Sequence, residues 1–162
     1  MVRGPTFAED EALGFDLGKI ETRKYADEGK YFPILHPVTG EPVLDDNKKP
    51  VEILISGADA SRIKNAVEER QRTRRAAVEA AANKPADQRP DYNGWQTREK
   101  DMIDDLVLLT EGWTDNLELD GKPLLFSKEN AAILYQRFPE IAEQMTRNAT
   151  NRINFMPASP KK

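Results

Sequence analysis

The chain of 162 residues has no cysteine and a single histidine, His36. Without thiols there is no disulfide, no thiolate nucleophile and no zinc–cysteine site. With one imidazole there is no multi-histidine metal site. No run approaches the ~18–20 consecutive apolar residues of a membrane span. Met1 to Asp10 lacks the apolar centre of a secretory leader, so a cytoplasmic setting is expected. Phosphate-cradling glycine loops and the Gly-x-Ser-x-Gly nucleophile turn are missing as well. Aromatic residues make up only 7%, hydrophobic residues 38% and charged residues 32%, which points to a thin core under a heavily charged surface. The net charge of −4 argues against an overall basic nucleic-acid binder.

What is present reads as an α+β chain: a small N-terminal antiparallel sheet, a long charged helix, and a C-terminal helical subdomain with a short hairpin. Residues 1–14 read as a flexible arm and 157–162, Pro-rich and ending in two lysines, as a flexible tail. Residues 15–82 hold the sheet and the long helix, 83–96 a Pro- and Gly-punctuated linker, and 97–156 the helical subdomain. Ile20–Tyr25, Tyr31–Leu35 and Val51–Ile55 are the expected strands, with Pro33 marking an edge. The long helix is expected from a cap at Asp59 or Ser61 to about Ala82. A further helix starts near Thr97 and stops at Gly112. Asp120-Gly121 signals a hairpin turn, Ser127 caps the next helix, and Pro139 opens the last one.

Few residues converge on recognisable chemistry. Asp45, Asn47 and Lys49 match the start of a calcium loop. Its sixth place is Pro50 rather than glycine and its twelfth Ser56 rather than glutamate, so a turn is expected and no metal. Arg62, Lys64, Arg70, Arg72, Arg74 and Arg75 form a basic stretch with no interleaved aromatic residue, hence no base-stacking platform. Acidic residues collect later, at Asp101, Asp104, Asp105, Glu111, Asp115, Glu118 and Asp120. Adjacent Asp104 and Asp105 diverge on a helix, so acid–base catalysis is not expected. Charge complementarity with the basic helix, within or between subunits, is.

Three segments together carry a resemblance. The first is Tyr31 to Pro42, ending His-Pro-Val-Thr-Gly-Glu-Pro. The second is Val51 to Ala60, leading through Ser-Gly-Ala-Asp-Ala into the Arg-rich helix. The third is Gly112-Trp113, then Leu119 to Asn130 and Leu134 to Gln144, closing with Asn154-Phe155. Over residues 15–156 this resembles the tail assembly chaperones of long-tailed bacteriophages and prophages. The resemblance implies a non-enzymatic factor without cofactor, acting in the host cell cytoplasm and absent from the mature virion. Its implied partners are the tape measure protein, a long helical chain that it keeps soluble, and the tail tube protein. It also implies a longer form made by programmed frameshifting near the end of the reading frame.

The partner surface is expected on the last helix and its exit, at Ile141, Met145, Ile153 and Phe155, with Trp113 as packing support. Replacing Met145 and Phe155 with Asp is then expected to abolish binding and leave the fold intact. The alternatives are a structural virion protein, such as a head–tail connector or minor tail component, and a nucleic-acid-associated factor using the basic helix. Membrane binding is not expected, and self-association stays open.

Overall fold

The computed structural model describes residues 14–157. The arm and tail expected at the two ends lie, apart from Gly14 and Pro157, outside the described residues. Among those described, five α-helices, a three-stranded antiparallel sheet and a two-stranded hairpin form an α+β fold. The helices are α1 (Thr22–Glu28), α2 (Ser61–Ala80), α3 (Trp95–Leu109), α4 (Lys128–Arg137) and α5 (Pro139–Thr150). The strands are β1 (Lys30–Pro33), β2 (Glu52–Ile55), β3 (Thr110–Trp113), β4 (Glu118–Leu119) and β5 (Lys122–Pro123).

The strand expected over Ile20–Tyr25 is helical instead. Asp16 accepts a hydrogen bond from the Gly18 N–H and starts a 3-10 turn, Leu17–Ile20, after which α1 begins. Thr22–Glu28 has no alternation to bury; Ala26 is buried and the neighbouring Tyr25 packs against the core, so one helical face suffices. Gly29, at φ +76°, ends α1 in a conformation that costs glycine little.

The sheet order is β1-β2-β3, which leaves Pro33 on an edge strand as its missing N–H requires. The third strand does not come from the N-terminal region. It is Thr110–Trp113, and Gly112, expected to stop a helix, sits opposite Leu54. Ile53 and Ile55 are fully buried, so β2 needs a partner on both edges, and the chain leaving α3 supplies the second. As a result the segments on either side of residues 83–96 share one hydrophobic cluster. Ile53 and Ile55 lie in it together with Leu106, Tyr135 and Met145.

The basic helix α2 buries little beyond Ile63. Its N-terminus is capped from α1: Asp27 accepts from the Ser61 N–H, so neither expected cap serves, Ser61 being the first helical residue and Asp59 pairing with Arg152. Three of the arginines face the chain's own acidic segment, while Arg72 pairs with Glu69 within α2. Arg74 grips Asp101 with two 2.7 Å hydrogen bonds and stacks on Tyr92, Arg70 pairs with Asp105 and Asp101, and Arg62 reaches Glu111. The complementarity between the two charged segments is therefore intramolecular.

Helix α3 starts at Trp95 after Gly94, so the expected cap Thr97 lies inside the helix and the last two residues of the expected linker are helical; the later signals hold. Asp120 and Gly121 both have positive φ and turn the β4–β5 hairpin. The Ser127 hydroxyl accepts from the Asn130 N–H at 3.0 Å, and Pro139 opens α5.

Candidate functional site

Between β1 and β2 the chain makes an excursion, residues 34–51, that folds back on itself. Ladder bonds from Ile34 N–H to Val51 O, Val43 N–H to Ile34 O and Val51 N–H to Val43 O hold it together. Two turns close it. In one, His36 Nδ1 accepts from the N–H groups of Val38 and Thr39, so the lone histidine organises a turn. In the other, Asp45 Oδ1 accepts from the N–H groups of Asn47 and Lys49 at 2.8 and 2.9 Å. The calcium-like residues thus form a turn satisfied by its own backbone. No group of three or more His, Cys, Asp and Glu converges to hold a metal among the described residues.

This lobe is fastened to α5 by one side chain. Gln144 is buried; its Oε1 accepts from the Leu35 N–H at 2.9 Å and its Nε2 donates to the Leu35 O at 2.8 Å. The amide acts as a one-residue strand partner for Leu35. On the other side the β4–β5 hairpin is tied to α4 by a bidentate pair, Arg137 to Asp120, at 2.7 and 2.8 Å. That pair holds the Asp120 carboxyl below the usual range.

An open groove of about 670 Å³ lies between the lobe, the hairpin and the elbow where α4 meets α5. Its floor is apolar: Ile34 and Val43 from the lobe, Leu117 before β4, Leu134 from α4, and Phe138 and Ile141 from the elbow. Leu44, half exposed, stands at its mouth. Asp45, Asp46, Glu118 and Glu140 line it too, and no Lys or Arg does. Asp45 is held below the ordinary carboxylate range, first by the Asn116 amide, whose Nδ2 donates to Oδ2 at 3.0 Å, and then by the Lys49 backbone N–H. Asp46, Glu118 and Glu140 make no ion pair among the described residues. Asn116 Oδ1 is buried without a hydrogen-bond partner.

The five residues singled out from the sequence do not form one surface. Ile141 alone lines the groove. Met145 is fully buried and Phe155 only 9% exposed, so both belong to the core and are corrected as surface residues. Met145 lies on the inner face of α5 with Ala142 and Ala149, and the Phe155 ring packs edge-on against Phe32 at 5.6 Å. Their substitution by Asp would attack folding rather than a docking face. Ile153 is 73% exposed and stands apart from the groove lining. Trp113 is packing support: its Nε1 donates to Leu124 O at 2.7 Å and its ring meets Phe126 edge-on at 5.1 Å.

Apart from Ile141, the groove residues share no sequence signal because four segments supply them. Ile34 and Val43 are single apolar residues beside turns. Leu117 and Leu119 give the clearest signal, an alternation ahead of a turn, but nothing local pairs them with a lobe more than sixty residues earlier.

No helix among the described residues is long and apolar enough to cross a membrane. In comparisons with family models, curated proteins and solved structures, nothing matches this chain.

Proposed function

We propose that the chain is a tail assembly chaperone of a long-tailed bacteriophage or prophage: a non-enzymatic factor that binds the tape measure protein in the host cytoplasm, keeps it soluble, helps recruit tail tube subunits and leaves before the virion is complete. The resemblance over residues 15–156 supplies the family. The observation that most supports a protein-binding role is the groove, which has an apolar floor, braced walls and unpaired carboxylates at its edge. A chaperone for a long amphipathic chain needs such an apolar contact surface on an otherwise charged body. The rival reading as a nucleic-acid factor loses support because Arg62, Arg70 and Arg74 already pair with the chain's own carboxylates.

The test is co-expression with the tape measure protein of the same gene cluster, followed by tagged pull-down and a soluble-fraction assay. The proposal expects co-purification and rescued solubility, both lost with Leu44→Asp, a substitution at the exposed mouth of the groove that spares the core. A tape measure protein that is soluble alone and never co-purifies refutes the proposal. Fixed stoichiometry in purified particles would instead identify a virion component.

A further inference from the structure

We propose that the groove takes a cationic amphipathic helix of the partner protein, whose apolar side chains fill the floor and whose Lys and Arg side chains pair with Asp46, Glu118 and Glu140. This rests on the reading of the partner as a long helical chain and adds the chemistry of the segment that docks.

Two observations carry it. The first is charge. The side chains at the groove's edge carry negative charge only, and Asp46, Glu118 and Glu140 have no cationic partner among the described residues. The guanidinium of α4, Arg137, is held by Asp120. Like charges gathered around an apolar floor repel one another until a cation arrives, and they reject an acidic occupant.

The second separates a helix from an added strand. Strand addition needs free backbone N–H and C=O groups along an edge. Along the apolar floor those groups are already engaged. Leu35 gives both of its backbone groups to Gln144; Ile34, Val43 and Val51 bond one another; and the Leu117 N–H bonds Thr114 O while its carbonyl accepts from Leu124. The apolar floor offers side chains and no ladder. The occupant must satisfy its own backbone, as a helix does, and anchor by side chains at i, i+3 or i+4, and i+7.

The test uses the full chain and two labelled synthetic helical peptides. Both carry leucine at the same i, i+3, i+4 and i+7 positions, and their flanking positions are all Lys in one and all Glu in the other. Fluorescence anisotropy at low salt reads affinity. The Lys peptide is expected to bind at least about tenfold more tightly than the Glu peptide. The variant Asp46→Asn/Glu118→Gln/Glu140→Gln is expected to lose about tenfold for the Lys peptide and most of its salt dependence. A charge-matched control, Glu68→Gln/Glu79→Gln/Glu99→Gln, alters exposed carboxylates elsewhere and is expected to bind like the parent. Equal affinity for the two peptides, or an equal loss in the control, overturns the inference. So does a concentration-dependent dimer that the Lys peptide dissociates, because a second copy is then the occupant. Capture of the tape measure protein that is unchanged in the triple variant and competed by the Glu peptide overturns this inference and leaves the chaperone reading standing. Absence of capture by the parent chain refutes the chaperone reading even where the Lys peptide binds.

Discussion

Gln144 is the sharpest point at which to test how the groove is built. Its amide is the hinge-pin between the 34–51 lobe and α5, accepting from Leu35 N–H and donating to Leu35 O. Gln144→Ala removes both bonds at about 1 kcal/mol each, or about 2 kcal/mol in all. For a chain of this length that is a fall in Tm of roughly 4–8 °C. Gln144→Glu separates the two bonds. The carboxylate still accepts from the N–H but now opposes the Leu35 carbonyl, and burial adds to the disfavour, so its folded pKa rises above the ordinary ~4.3 of Glu. A raised folded pKa means the protonated form is favoured by folding. The variant's deficit is therefore absent below about pH 4.3, where the neutral acid can donate to the carbonyl as the amide does. It grows as pH rises to the folded value. Thermal melts followed by circular dichroism at about pH 4 and pH 7 read both effects against the parent chain. The reasoning fails if Gln144→Ala melts with the parent, or if the Gln144→Glu deficit is the same at both pH values.

Met145→Ala empties a fully buried site on α5 and is expected to cost about 2–5 kcal/mol in urea unfolding; a cost under ~1 kcal/mol would return Met145 to the surface. Gly57→Ala places a Cβ 2.8 Å from Ala26 Cβ and 3.2 Å from Phe155, and overpacking is expected to cost about 1–3 kcal/mol in the same assay. Asp101→Asn loosens the clasp of α2 on α3. Arg74's hydrogen bond first, then the Arg70 charge, hold the Asp101 carboxyl below its usual range. The clasp's contribution is thus full above the unfolded value of ~3.9 and lost as pH falls through the depressed folded value. The variant should melt a few degrees below the parent near neutral pH, by a margin that shrinks in about 1 M salt and at about pH 2.

Elements announced by local chemistry were legible in the sequence. The Asp120-Gly121 turn, the Ser127 cap, Pro139 at the first turn of α5 and the β-branched run of β2 each state their structure within a few residues. Thr110–Trp113 does not. Its four residues carry no alternation, and they become a strand because β2, fully buried at Ile53 and Ile55, has an edge to fill. Met145 and Ile141 share α5 and similar hydrophobicity, yet one is core and the other lines the groove. Only the packing of α3 and α4 against α5 decides which face turns inward. The groove is less legible still, since its walls come from segments brought together by Gln144 and by the Arg137–Asp120 pair, contacts that no spacing rule encodes.

The central claim is that the groove is where the partner docks. Hydrogen–deuterium exchange of the full chain, alone and in complex with the co-expressed tape measure protein, tests it most directly. The account predicts new protection in residues 34–46, 116–119 and 138–141. Protection confined to α2 or to Arg152–Asn154, with those three segments unchanged, would contradict it.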